Sequence, residues 1–193
     1  TFMHPYAAHF YNRRRVLPKL GFDEFLDIKA FSARAPDKGY LSDPALGQAM
    51  LERLDQARHA PQAPHPPGAS NSSDTPLFMH VVTMQGHGPY VGHNEGADRL
   101  LEGYLQCIRS TDQMIGELTA ALSKRDRPTV FCVFGDHVPI LPSVYALHGH
   151  PSGQTDFLVW RNWQANPWTG FNRSQALPLH ALGEVVLMAA GLT

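Results

Sequence analysis

Long hydrophobic runs, cysteine and net charge are all nearly missing from this sequence. No stretch of its 193 residues reaches the roughly 18 apolar side chains of a membrane span. No crossing helix is therefore expected within it. The two cysteines, Cys107 and Cys132, fall in an expected helix and an expected buried strand. Two buried free thiols are anticipated there instead of a disulfide, so cysteine does not decide the redox compartment. Sixteen basic residues face seventeen acidic ones, and no basic cluster exists beyond Arg13-Arg14-Arg15. That balance removes the electrostatic case for nucleic acid as a partner.

What the sequence does hold is histidine, eleven of them. Several stand beside glycine or proline, as in Gly86-His87-Gly88-Pro89 and His148-Gly149-His150-Pro151. Loops of that kind carry function more often than helices do. The stretch Thr129–Phe134, rich in β-branched and aromatic side chains, reads as a strand buried on both faces. Gly135 ends it and lets the chain turn, and Asp136-His137 follow at once. In an open α/β sheet the C-terminal rim of the strands is where ligands bind. A hard oxygen ligand beside a nitrogen ligand suits a divalent ion such as manganese or zinc. Taken alone, the same pair reads as easily as a turn cap next to a surface histidine.

The rest of the chain alternates strand and helix. Residues 1–13 mix aromatics and histidines without a period, which suggests a loop lining a site. A short helix is expected from Arg14 to Leu20, closed by Gly21 in the left-handed position. Ser42 or Asp43 caps a helix running to about Arg58, with Leu46, Met50, Leu51 and Leu54 on its apolar face. Residues 60–75 are proline- and then serine-rich and read as a flexible insertion. Leu77–Met84 is a second buried strand, with His80 a core histidine in it. The longest helix spans Ala97–Lys124, packed through Leu101, Leu105, Ile108, Ile115, Leu118 and Leu122. Asp156–Trp160 is an edge-like strand and Pro178–Leu192 a final helix. The order predicts an α/β fold, a parallel or mixed sheet flanked by helices.

Five segments in this order carry a resemblance. They are His4 with Phe10-Tyr11-Asn12-Arg13, Leu20-Gly21-Phe22-Asp23-Glu24-Phe25, Leu41-Ser42-Asp43, Thr83–Tyr90, and Phe134-Gly135-Asp136-His137. The chain resembles the C-terminal part of the catalytic domain of the lipoteichoic-acid synthase and phosphoglycerol transferase group, in the sulfatase and alkaline-phosphatase superfamily. The resemblance implies an alkaline-phosphatase-like fold, incomplete at the N-terminus, with residues 1–193 as the C-terminal portion of one sulfatase-like domain. It implies that Asp136 and His137 bind a divalent metal, manganese or zinc. His4, Tyr11, Arg13 and His87 are then the phosphate and head-group contacts. Tyr11 stands where the synthases carry tryptophan, and Tyr6 where they carry aspartate. The related phosphoethanolamine transferases have a later Leu-His-Gly, which Leu147-His148-Gly149 matches, so His148 is a candidate second-site histidine. His9, His59, His65, His93, His150 and His180 are left as structural or surface residues.

The function implied is metal-dependent transfer of phosphoglycerol or phosphoethanolamine from a phospholipid donor to a cell-envelope glycan acceptor. The resemblance places the nucleophilic threonine and an acidic metal ligand upstream of residue 1. It also implies an extracytoplasmic domain with a membrane tether in the full-length protein only. On that reading the chain alone is expected to be inactive and to bind metal weakly. A sulfatase-like hydrolase of sulfate or phosphate esters is a second reading. An inactive module binding an anionic glycan or lipid head group is a third.

Overall fold

Phe2-Met3 forms the shortest of strands, β1, yet two others are built on it. Phe25-Leu26 (β2) and His80-Val81 (β3) both pair with it in parallel, giving the order β2-β1-β3. The ladder continues past the strand ends, with His4 N–H donating to the Leu26 carbonyl at 3.0 Å and Val82 N–H to the Met3 carbonyl at 3.0 Å. The computed structural model describes residues 1–31, 40–59, 76–90, 96–163 and 176–192. The segment 60–75, expected as a flexible insertion, lies outside the described residues, as do His65 and His93. The chain divides into two units, Thr1–Ile115 and Gly116–Thr193.

In the first unit the alternation of β1 sends Phe2 and Met3 to opposite faces. Phe2 packs edge-on against Phe22, with ring centroids 5.3 Å apart, and stacks on His80 at 5.1 Å. His80 is thus a core histidine, and burial lowers its pKa. Met3 joins Phe31, Leu41, Leu46 and Ala49 in the core beneath helix α2 (Asp43–His59). Ser42 accepts the first bond of that helix, from Leu46 N–H at 2.9 Å. The expected loop at residues 1–13 is partly regular: a 3-10 turn at Phe10–Asn12 leads into α1 (Arg13–Val16), and a second 3-10 turn, Leu17–Leu20, ends at Gly21 with φ 84°. That glycine is required, because an L side chain rarely adopts this conformation.

Helix α3 (Ala97–Leu122) begins in the first unit. Its buried residues include Leu100, Met114, Leu118 and Leu122, whereas Leu105 and Ile108, expected in the core, are 40% and 42% exposed. Leu118 and Leu122 are buried as expected, Leu101 and Ile115 are half-buried, and Leu100 and Met114 add to the stripe at helical spacing, with Cys107 and Thr111 half-buried beside them.

The second unit centres on an antiparallel pair, β4 (Val130–Phe134) and β5 (Phe157–Arg161), with Val130 opposite Arg161 and Phe134 opposite Phe157. Strand β4 is half-buried along most of its length, not enclosed as expected. One neighbouring strand and one packed helix, α5 (Leu182–Ala190), are the cover it receives within this unit. Cys107 and Cys132 form no disulfide among the described residues and are half-buried, and burial raises the pKa of Cys132. A short helix α4 (Pro142–His148) follows the Asp136-His137 turn.

Candidate functional site

Parallel pairing puts the C-terminal ends of β1, β2 and β3 on one rim, where ligands of α/β sheets bind. His4 leaves β1 there, Asp27 leaves β2, and the Gln85–Tyr90 loop leaves β3. His4 is almost fully buried, and its Nδ1 lies 3.1 Å from the Val82 carbonyl. Nδ1 therefore carries the proton, and Nε2 is left as the ring's open atom. Burial holds the His4 pKa below 6.5; the Val82 hydrogen bond raises it and Arg13 nearby lowers it further. A neutral imidazole beside a guanidinium is the outcome.

Arg13 is presented by an unusual turn. Tyr11 and Asn12 both have φ of 53°, the left-handed region, which costs a non-glycine residue roughly 1 kcal/mol or more. The turn throws the Tyr11 ring outward, 83% exposed, with the Arg13 guanidinium 5.2 Å from its centroid. Nη1 of Arg13 is buried and has no hydrogen-bond partner among the described residues. Burial lowers the Arg13 pKa from its ordinary value. The base of the turn is pinned by its neighbour: Arg14 donates to Asp27 Oδ2 at 2.6 Å, and Asp27 Oδ1 accepts Lys29 N–H at 3.0 Å. Asp27 was not singled out in the sequence. Its position at the end of β2, opposite an arginine run, is the signal that could have found it.

His87 is exposed, in a loop fastened on both sides. His87 N–H donates to the Met84 carbonyl at 3.1 Å, and the buried Tyr90 hydroxyl donates to the Gly86 carbonyl at 2.9 Å. The Gly88-Pro89 peptide is cis. His87 Nδ1 is 2.8 Å from the Gly88 carbonyl, which again leaves Nε2 outward. Two shallow depressions of this unit, one beside Leu20 and Phe78 and one beside Glu24 and Arg53, contain none of the candidate residues.

In the second unit Asp136 and His137 leave the end of β4 exposed, with Oδ1 and Nε2 3.8 Å apart. Gly135 has no left-handed φ. It is glycine because a Cβ there would stand 3.0 Å from Thr155 Cβ. The expected sharp turn is thus a close approach to the neighbouring strand's entrance. His137 Nδ1 is 2.8 Å from the Val138 carbonyl, so this third histidine also presents Nε2. A carboxylate oxygen and an Nε2 lone pair on adjacent residues, with the far ring nitrogen held by a carbonyl, fit two ligands of a divalent ion. Among the described residues, however, no three histidine, cysteine, aspartate or glutamate side chains are grouped to hold a metal. His148 is not in a loop but is the last residue of α4, exposed, and Gly149 follows it with φ 87°.

A parallel sheet with helices on it is an α/β arrangement of the alkaline-phosphatase-like kind. Two solved structures share the fold. Streptococcus pyogenes phosphoglycerol transferase GacH, in complex with sn-glycerol-1-phosphate, aligns with a TM-score of 0.59 at 23% identity, over 83% of this chain and 42% of that one. The lipoteichoic acid synthase LtaP from Listeria monocytogenes aligns at 0.52 and 23% identity, over 70% of this chain and 33% of that one. The Sulfatase family model matches residues 1–178, and the chain belongs to that family. The capsular polysaccharide biosynthesis protein RkpI of Rhizobium meliloti (strain 1021) is 29% identical over 160 residues, 82% of this chain and 27% of that protein. The chain spans about a quarter of the length of the first two curated relatives it matches, 24% and 27%.

Proposed function

We propose that the chain is the head-group-binding part of a metal-dependent domain that transfers phosphoglycerol or phosphoethanolamine from a phospholipid to a cell-envelope glycan. The observation that carries this reading is the buried, unpartnered Nη1 of Arg13 on the rim of a parallel sheet. A buried guanidinium N–H without an acceptor is rare, and a phosphate oxygen is the acceptor its fork geometry fits best. His4 and Tyr11 flank it, one neutral and buried, the other an exposed ring suited to cover a small polyol.

In this reading Arg13 grips two phosphate oxygens, and His87 offers Nε2 to a third oxygen or to the head group. A divalent ion, manganese or zinc, bound by Asp136 and His137 would neutralise phosphate charge and lower the pKa of a coordinated hydroxyl. The attacking group in this reading is a threonine hydroxyl, as the resemblance implies. Its oxygen forms a bond to phosphorus as the lipid alkoxide leaves and takes up a proton; an acceptor hydroxyl then reverses the exchange and releases the threonine. The residues of this chain bind, orient and screen charge, and none of them is the attacking group. His148 is a candidate for an outer head-group contact. The domain works on the outer side of the cytoplasmic membrane or in the periplasm. Similarity to a capsular polysaccharide biosynthesis protein supports the glycan acceptor.

Membership of the Sulfatase family favours a second reading, hydrolysis of a sulfate or phosphate ester. Replacing Arg13 by lysine and Asp136 by asparagine in the chromosomal gene separates the two. Transfer predicts loss of the phosphodiester signal from purified envelope glycans in phosphorus NMR. An unchanged signal in both strains contradicts it.

A further inference from the structure

Beneath the His87 loop lies a polar cluster that the site above does not use. Asp43, in the first turn of α2, is fully buried. Its Oδ2 is 2.6 Å from the Thr111 hydroxyl on α3, and its Oδ1 is buried with no hydrogen-bond partner among the described residues. The same Thr111 oxygen is 3.2 Å from the Cys107 carbonyl. Gln85, the residue that opens the loop, accepts at Oε1 from Asp43 N–H at 2.8 Å and from the Ser110 hydroxyl at 3.0 Å. One side chain thus ties the start of the His87 loop to two helices.

Counting protons decides the charge of Asp43. A threonine hydroxyl has one proton, yet Thr111 faces two acceptors. Were Asp43 ionised, that proton would go to the carboxylate, and the hydroxyl would lie against the Cys107 carbonyl with no hydrogen between them. A full charge would also sit buried with one oxygen bare, which is costly. With Asp43 protonated, Oδ2–H donates to Thr111 and Thr111 donates to the Cys107 carbonyl. The unpartnered Oδ1 is then a neutral carbonyl oxygen, far cheaper to leave alone. The start of α2 favours negative charge, but a helix terminus is a fractional charge against a whole one. The titratable group that feels the Asp43 charge is Tyr40, and the influences on the carboxyl itself are burial, the Thr111 hydroxyl and the Gln85 main chain. Burial raises the pKa of Asp43 and outweighs the Thr111 hydroxyl and the nearby Gln85 main-chain N–H, which favour the charged form although the latter falls short of hydrogen-bond geometry to Oδ1.

We infer that Asp43 is held as the neutral acid at pH values where surface aspartates are ionised, and that it is a positioning residue. With Thr111, Ser110 and Gln85 it forms a bracket that sets the loop presenting His87. Ionisation puts a bare charge under that loop and opens the bracket to water. The inference rests on the proposed role of His87 in substrate binding.

Carbon-13 NMR of the labelled chain tests the protonation directly and needs no variant. At about pH 5.5, well above the ordinary aspartate pKa of about 3.9, the Asp43 carboxyl resonance is expected in the protonated position. An ionised Asp43 at that pH overturns the proposal. Positioning is read at the ring of His87. Its signals are expected to move at the Asp43 midpoint in the wild type and not in Asp43→Asn. His87 signals that do not move at that midpoint overturn the positioning role. Affinity for sn-glycerol-1-phosphate is expected to fall about fivefold or more in Thr111→Val and to stay within about twofold in Asp43→Asn, which keeps a neutral donor. If His87→Ala leaves that affinity unchanged, the role of the loop in binding is lost while the carboxyl titration still stands or falls on its own.

Discussion

The hydroxyl of Thr155 donates to the carbonyl of Gly135 at 2.6 Å, one residue before Asp136. Gly135 N–H in turn donates to the Asp156 carbonyl at 3.2 Å. The Asp136-His137 turn is therefore gripped from the entrance of β5, with the Thr155 side chain close against position 135. Gly135→Ala must push Thr155 aside, at a cost of about 1–3 kcal/mol, read as a lower urea midpoint. Gly183 in α5 is the control. It has nothing within 4 Å of an added Cβ, so Gly183→Ala is expected to stabilise by about 0.5–1 kcal/mol.

Two buried histidines set the acid limit of the first unit. His4 and His80 both have pKa values lowered from 6.5 by burial. Each is neutral when folded at a pH where the unfolded chain has already bound a proton. Their contribution to stability is fully present above 6.5 and is lost as pH falls through that value towards their folded pKa values. The thermal midpoint is expected to drop between pH 7.5 and 5.5, and His80→Phe, which keeps the stacking on Phe2, is expected to flatten the fall. A midpoint independent of pH over that range would mean that neither histidine is buried neutral.

Asn162 holds the connection between α3 and β4. Its Nδ2 lies 3.1 Å from the Leu122 carbonyl, 3.0 Å from that of Arg125 and 2.9 Å from that of Arg127, and its Oδ1 accepts Thr129 N–H at 2.9 Å. Removing the amide takes the acceptor from Thr129 N–H and a donor from the three carbonyls, of which those of Leu122 and Arg127 keep other donors. Asn162→Ala is expected to destabilise by about 2–4 kcal/mol in a denaturation followed by tryptophan fluorescence. Asn162→Asp should be worse, since it sets a carboxylate against three carbonyls.

Element types followed from periodicity and punctuation. The long α3, the Gly21 cap and the strand before Asp136 needed only apolar spacing, a glycine and a β-branched run. What periodicity could not supply was which side chains are enclosed. Leu105 and Ile108 fit the apolar pattern but are exposed, whereas Asp43 and Thr111, polar by type, sit on the buried side of their helices. Burial of a polar residue depends on partners far away in sequence, here Gln85 and Ser110, and no local signal announces them. The candidate residues His4, Arg13, His87, Asp136 and His137 are singled out by glycine-flanked or strand-end settings together with the resemblance. The left-handed pair Tyr11-Asn12 that aims Arg13 was not, because neither residue type favours that conformation strongly enough to flag it.

Arg13 should be replaceable by lysine without loss of fold and with loss of function. Lysine keeps the charge but not the fork that reaches two oxygens. Arg13→Lys is expected to weaken binding of sn-glycerol-1-phosphate about tenfold, roughly 1.4 kcal/mol, by calorimetry. Tyr11→Ala, which uncovers the guanidinium, is expected to weaken it by a smaller factor of about three.

Metal and phosphate should bind as one thermodynamic unit if Asp136-His137 and Arg13 serve the same substrate. The measurement is the affinity of the chain for sn-glycerol-1-phosphate with and without saturating manganese, in the wild type and in Asp136→Ala. The account predicts about tenfold tighter binding with manganese in the wild type and no gain in the variant. Equal affinities under all four conditions would contradict it.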